Sequence, residues 1–496
     1  MMSTASAPTT PAATGQPRGL STLFFTEMWE RFSYYGMRGL LVLYMTKAVR
    51  DGGMGLDDKL AGSIYGLYTA AVYLASLPGG WLADRWLGAQ QAVWYGGLII
   101  AAGHFTMVFD RPETFFLGLV LVVIGTGLLK PNISAIVGGL YPEGGTRRDA
   151  GFTVFYMGIN LGAFLGPFVC GTLGEKFNWH YGFGAAGVGM VLGLAQYRFS
   201  RAHLGDAGRL PGHPTPLGGQ GRGLLALVAI AFAAFIGLAM AGVIHIAPIA
   251  VAQWTTAFLL AVAVGYFALL FTTGKLTPLE RNRVIVILIL FAAAALFWSG
   301  FEQAGSSLNL FAERFTVRSV PGFTTAIPAS WFQSVGPVFV ITLAPVMAGL
   351  WVGLARRHLE PSIPAKFAFG LLLLAVGFLV MVGAAVLVAR GQMVGPQWLT
   401  FTYLIHTFGE LCLSPVGLSS VTKLAPKRLV GQLMGIWFLA ASMGNLLAGL
   451  VAGEFNVNAL SSWPGLYLKI VLLPAVAGLL LLAAAKPIKK LMAGVN

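Results

Sequence analysis

Charge is what this chain has least of. Only 10% of its 496 residues are Asp, Glu, Lys or Arg, whereas 56% are hydrophobic. Soluble domains carry roughly 25% charged residues. That scarcity excludes an ordinary soluble domain and indicates an all-α integral membrane protein, for which length gives no domain count. Cysteine is nearly absent. Cys170 and Cys412 lie inside apolar runs, so neither a disulfide scaffold nor a metal role is expected, and each reads as a small hydrophobe. The 7 histidines include no pair spaced i, i+4, and no metal or other cofactor is expected. Also lacking is a cleavable leader: MMSTASAPTTPAATGQPRGL has neither a basic start nor an apolar core. Residues 1–20 read instead as a disordered cytoplasmic tail. The net charge of +14 is spread over short loops rather than gathered in a patch, which argues against nucleic acid.

What is there is long apolar runs. A helix needs about 20 apolar residues to cross a bilayer. Candidate spans are 24–47, 61–83, 91–109, 114–136, 150–173, 181–199, 223–244, 250–272, 283–303, 327–354, 366–389, 396–421, 430–453 and 465–485. Lys and Arg fall mostly on one side, about 20 against about 8, if both termini are cytoplasmic. The layout reads as a tail (1–20), a six-helix bundle (21–200), a cytoplasmic loop (201–222), two extra spans (223–275) and a second six-helix bundle (276–490). The two extra spans are almost free of ionisable groups and read as lipid-facing packing. Two bundles around a central cavity follow from this arrangement.

About seven charges remain at membrane depth, each costing roughly 2.5–3.5 kcal/mol at a helix centre. They are Glu27, Glu30, Glu302, Glu410, Arg31, Arg38 and Lys130. Such residues must face one another or a wet cavity, and are functional by default. In TEMWERFSYYGMR, residues Glu27, Glu30, Arg31, Tyr34, Tyr35 and Arg38 share one helical face. Two carboxylates sharing Arg31 can hold a proton and release it when the arginine is drawn elsewhere, titrating as a unit. Lys130 precedes Pro131 and Asn132, which are expected to loosen the helix there. Glu410 shares a face with His406 and Ser414 in HTFGELCLSPVG, where Pro415 to Gly417 frees backbone groups. A lone histidine such as His406 is more often a satisfied core donor than a proton carrier. Gly300 and Gly305 flank Glu302 and predict a bend.

Three stretches carry a family resemblance. EMWER at 27–31, continuing as FSYYGMR, matches an ExxER motif; GGWLADRWLG at 79–88 looks like the facilitator loop signature; FYMGINLGAF at 155–164 resembles FYxxINxGS. Together they resemble the bacterial proton-dependent oligopeptide transporters of the major facilitator superfamily. The resemblance implies a fold of 12 core helices in two six-helix bundles plus 2 extra central helices. It implies proton-coupled symport of di- and tripeptides into the cell by alternating access, with the proton as coupling ion and no catalysis. It places the chain in the bacterial inner membrane, in contact with lipid bilayer and expected to be monomeric.

Proton coupling falls to Glu27, Glu30 and Arg31 on the charge pattern itself, and their EMWER matches the family's ExxER motif. By position, the resemblance assigns peptide binding to Arg31, Tyr35, Tyr68, Lys130, Asn160, Trp298, Glu410, Ser414 and Trp437. Arg38 with Glu302 resembles an outer gate and Lys130 with Glu410 an inner one. Arg31 and Lys130 would face the peptide carboxylate and Glu410 its amino group. Three departures stand out: Ala163 replaces the signature's last serine, Gly336 stands where relatives often carry asparagine, and the first histidine is His104, so a proton-coupling histidine in the second helix is absent. The alternative within the same architecture is a facilitator-type transporter of another small anionic or zwitterionic solute, such as nitrate or a drug.

Overall fold

The computed structural model describes residues 15–141, 145–212, 219–319, 322, 325–455 and 457–494. Most of the expected tail (1–14) and part of the central loop (213–218) lie outside them. The described chain is helical nearly throughout. Its helices are α1 (Arg18–Thr46), α2 (Asp58–Leu82), α3 (Ala89–Thr106), α4 (Pro112–Gly139), α5 (Gly145–Lys176), α6 (Trp179–Ser200), α7 (Gly219–Met240), α8 (Pro248–Thr273), α9 (Pro278–Phe301), α10 (Ser307–Phe315), α11 (Val335–Arg356), α12 (Ile363–Ala389), α13 (Gln397–Leu424), α14 (Val430–Ala452), α15 (Trp463–Ala483) and α16 (Ala485–Leu491). All but the short α10 and α16 correspond one to one with the expected spans. Among the described residues nine spans are long and apolar enough to cross a membrane by composition alone. Helices α1 and α13 are long but not among these nine, and they carry five of the seven membrane-depth charges. Helix α1 begins at Arg18, so the last residues of the expected tail are already helical.

Local sequence sets several ends. Thr277 and Glu280 form a reciprocal capping box at the start of α9, with Pro278 in the first turn. The Asp57 carboxylate accepts from the Leu60 N–H at 2.8 Å and starts α2. The bend expected near Glu302 is a break. Helix α9 ends at Phe301, one tight turn covers Glu302–Gly305, and Ser306 leaves helical geometry at φ −126°, ψ −97° before α10. The loosening expected around Pro131 and Pro415 is not seen, because α4 and α13 run straight through. Asn132 steadies α4 by donating to the Leu128 carbonyl at 2.7 Å.

Helices α1–α6 pack as one bundle, with α1 against α5 and α6 and α3 against α4. Helices α9–α15 form the other, centred on the packing of α12 against α13 and α15. Small residues let backbones touch, as expected where lipid supplies no hydrophobic drive. A Cβ on Gly66 would meet Gly449 Cα at 3.1 Å, which is the seam between α2 and α14. The second seam joins α5 to α11 and the turn before it, and α8 lies on both α2 and α14. Trp254 and Phe258 on α8 are exposed, in keeping with a lipid-facing role. Cys170 and Cys412 are buried and unpaired.

Candidate functional site

The charged face of α1 is buried between the bundles. Glu27, Glu30, Arg31 and Arg38 are all under 10% exposed. Arg31 Nε contacts Glu27 Oε1 at 3.1 Å and also pairs with Glu30. One guanidinium nitrogen therefore serves two carboxylates. Each keeps an unsatisfied atom: among the described residues Glu27 Oε2, Glu30 Oε1 and Arg31 Nη2 have no hydrogen-bond partner. A buried polar atom is costly to leave unpaired, so these three atoms are positions where a proton or a further polar group can bond. The Arg31 guanidinium sits 5.1 Å from the Tyr34 ring centre.

Two turns further along, Arg38 pairs with Glu302 and donates from Nε to the Tyr65 hydroxyl at 2.7 Å. The expected outer pair is thus made, and the α9 break is what carries Glu302 to it. The Arg38 guanidinium also lies 5.6 Å from the centre of the Tyr35 ring. Tyr68 is buried and stacked on Tyr34 at 6.3 Å, its hydroxyl unpartnered.

The expected inner pair is not made. Lys130 and Glu410, both half-buried, form no ion pair among the described residues. Lys130 Nζ rests instead 3.9 Å from the centre of the Tyr73 ring, within cation–π range. Asn160 is buried and spends its amide N–H on the Tyr156 carbonyl at 3.0 Å. Trp298 packs edge-on against Phe297 and Phe301, and Trp437 against Phe367. Ser414 is half-buried on the Glu410 helix. His406 is a core residue: its Nε2 lies 3.2 Å from the Leu374 carbonyl and its ring packs on Phe378. At Gly336 a Cβ would meet nothing within 4 Å, so a larger side chain would have room there.

Sequence reasoning missed several contributors. On α2, Tyr65 stands at i, i+3 to Tyr68 and at i, i+8 to Tyr73, helical spacings available in IYGLYTAAVYL. Glu313, Arg314, Arg318 and Glu175 fall outside the seven membrane-depth charges. The structure joins the bundles with them: Lys47 to Glu313 at 3.2 Å, Arg314 to Asp58 at 2.7 Å, Arg318 to Glu175 at 3.7 Å. These bridges lie on the face away from the two termini, as do the loops flanking Arg38 and Glu302. Toward the terminal face α11 has few neighbours among the described residues. Val346 and Leu350 are exposed, and Gly349 and Gly353 have no neighbour within 4 Å of a built Cβ.

Two six-helix bundles, tied on one face over opposed buried charges, define a transporter of the major facilitator fold. Comparison with known proteins gives the family. Residues 90–464 match the POT family, and the chain belongs to it. It is 44% identical to the peptide transporter YePEPT of Yersinia enterocolitica, over 96% of each chain. It is 36% identical to a di-/tripeptide transporter of Lactococcus lactis subsp. cremoris, covering 97% of this chain and 98% of that one. Among solved structures it superposes on the peptide transporter POT in complex with sulfate with a TM-score of 0.89, at 42% identity and 97% coverage of both chains. A POT family transporter in complex with a thioalcohol-conjugated peptide gives 0.87 at 34% identity, over 96% of this chain and 97% of that one.

Proposed function

We propose that this chain imports di- and tripeptides with protons across a bacterial inner membrane by alternating access. The observation that carries the reading is the placement of buried charge of opposite sign on the two bundles. Arg31 and Lys130 stand on the first bundle and an ion-unpaired Glu410 on the second. A short peptide is a zwitterion of nearly fixed charge separation with variable side chains. A site that grips its ends by charge and leaves aromatic walls for the rest suits that substrate. Tyr34, Tyr35, Tyr68, Trp298 and Trp437 supply such walls, and Asn160 a polar group for the backbone.

Proton coupling rests on the Glu27/Glu30/Arg31 cluster. Four interior carboxylates against three interior cations leave one negative charge, which one proton cancels. Protonation of the cluster frees Arg31 for the peptide carboxylate; loss of the proton lets a carboxylate reclaim Arg31 and expel the peptide. Each step exchanges ion partners, so ligand and proton bias two states through differential contacts. With both termini cytoplasmic, as the Lys and Arg bias favours, the made Arg38–Glu302 pair and the unmade Lys130–Glu410 pair correspond to an inward-open state. Tyr73 then holds the Lys130 ammonium until Glu410 returns. Uptake of labelled dialanine into proteoliposomes, with and without an inward proton gradient, tests the reading. Gradient-driven uptake is expected; its absence, or competition by nitrate rather than peptide, overturns it.

A further inference from the structure

Among the described residues, the hydrogen bonds across the seam between α5 and the turn leading into α11 lie toward one face. Along α5, Phe164, Phe168, Gly171 and Glu175 recur at helical spacing and meet residues 330–334 in turn. Ser334 Oγ donates to the Phe164 carbonyl at 2.7 Å, and the Trp331 ring stacks on Phe168 at 4.1 Å. Trp331 Nε1 donates to Thr172 Oγ1 at 2.9 Å. A Cβ on Gly171 would strike the Ser330 hydroxyl, so the two segments touch there. The run ends at Glu175. Its carboxylate accepts from the Ala329 N–H at 2.7 Å, the Ser330 N–H at 2.9 Å and Ser330 Oγ at 2.6 Å.

We infer that Glu175 is a second outer gate, which must release the turn at 329–334 in every outward-opening step and which sets how much of the outward-open state is populated. The inference rests on the alternating-access reading above. The physical grounds are three. Glu175 and the turn belong to different bundles, so their bonds cannot survive a separation of the bundles on this face. Both carboxylate oxygens are used, one on each backbone N–H, and such charge-assisted bonds are the strong ones. The cation nearest the carboxylate, Arg318, is itself tied to its own bundle, donating to the Ile327 carbonyl at 2.7 Å and the Glu313 carbonyl at 3.3 Å. The latch thus holds α5 to a braced loop. It works on a different pair of helices from Arg38 and Glu302, so the two gates add. Glu175 is a positioning residue: it touches neither the proton cluster nor the peptide pocket.

The test places nitroxides on Val49→Cys and Gln392→Cys, exposed positions on the latched face of the two bundles, in full-length protein in lipid. The native cysteines are buried, which keeps the labelling selective. Distances are read by pulsed electron resonance without peptide, so a failure of the peptide reading leaves this measurement intact. In Glu175→Gln one oxygen is lost as an acceptor and the charge is removed. The ratio of long to short distances is expected to rise about tenfold, and further in Glu175→Ala. Ser330→Ala, which loses one bond and keeps the rest, should raise it only a few-fold. In uptake assays Glu175→Gln should lower the external KM, because more protein presents the competent face, and lower the maximal rate, because closure is weakened. Unchanged distances in the folded Glu175 variants, or in Ser330→Ala where those do not fold, would overturn the inference.

Discussion

Replacing Glu30 with glutamine separates proton drive from peptide binding. In the structure Arg31 is held by two carboxylates through one nitrogen while its Nη2 and one oxygen on each acid lie unpaired. The substitution keeps the volume and a hydrogen-bond acceptor but removes one charge. The cluster then carries the net charge of its protonated form permanently. The amide oxygen still accepts from the charged guanidinium, but one attraction between unit charges is lost, which even when fully screened is worth about 1 kcal/mol at contact, so Arg31 is released by roughly 1 kcal/mol. That corresponds to about a fivefold better apparent affinity in peptide exchange. The drive disappears. An inward gradient of one pH unit supplies ~1.4 kcal/mol per proton and a potential of 100 mV adds ~2.3 kcal/mol. Together they sustain roughly a 500-fold accumulation of a neutral dipeptide for each coupled proton. Proteoliposomes loaded with cold dialanine measure exchange, and empty ones under the gradient measure accumulation. The Glu30→Gln protein should exchange at least as well as the parent and accumulate nothing; Glu27→Gln should do likewise. Accumulation that persists in both variants, or exchange lost along with it, would refute the assignment of the proton to this cluster.

Other substitutions probe neighbouring parts of the site. Arg31→Ala should lose both exchange and accumulation, because the same guanidinium serves proton cluster and peptide carboxylate. Glu410→Ala should raise KM most for peptides with a free amino terminus; an equal rise for N-acetylated peptides would remove its amine role. Glu302→Gln should shift the spin-label distances on the latched face toward the open state while Arg38 keeps its bond to Tyr65. Gly79→Ala pushes a Cβ against the Gly127 carbonyl within the first bundle and should lower stability by about 1–3 kcal/mol. Gly336→Ala, facing open space, should leave the melting temperature unchanged.

The seven interior charges were legible because lipid makes each one expensive, and the α1 ladder because six polar residues in thirteen fall on one face. Arg38 and Glu302 could be matched on the resemblance and are found together. Tyr73 was passed over because a tyrosine in an apolar helix looks the same whether it faces lipid or an ammonium. His406 carried the opposite ambiguity, and its bond to the Leu374 carbonyl resolves it as core. Pro131 and Pro415 are expected to disturb their helices, yet α4 and α13 both continue through them, held by packing on neighbouring helices.

By itself the sequence determined the number of spans, the membrane as solvent and the helix face on which charge must gather. These follow from local periodicity and from the cost of burying ions, neither of which needs long-range contacts. Only the tertiary structure decided which ions meet. Glu175 and Ser330 stand 155 positions apart and Arg38 and Glu302 264 positions apart. Whether such groups pair depends on how two rigid bundles lean on each other, a choice between packings that differ too little in energy for any local pattern to record.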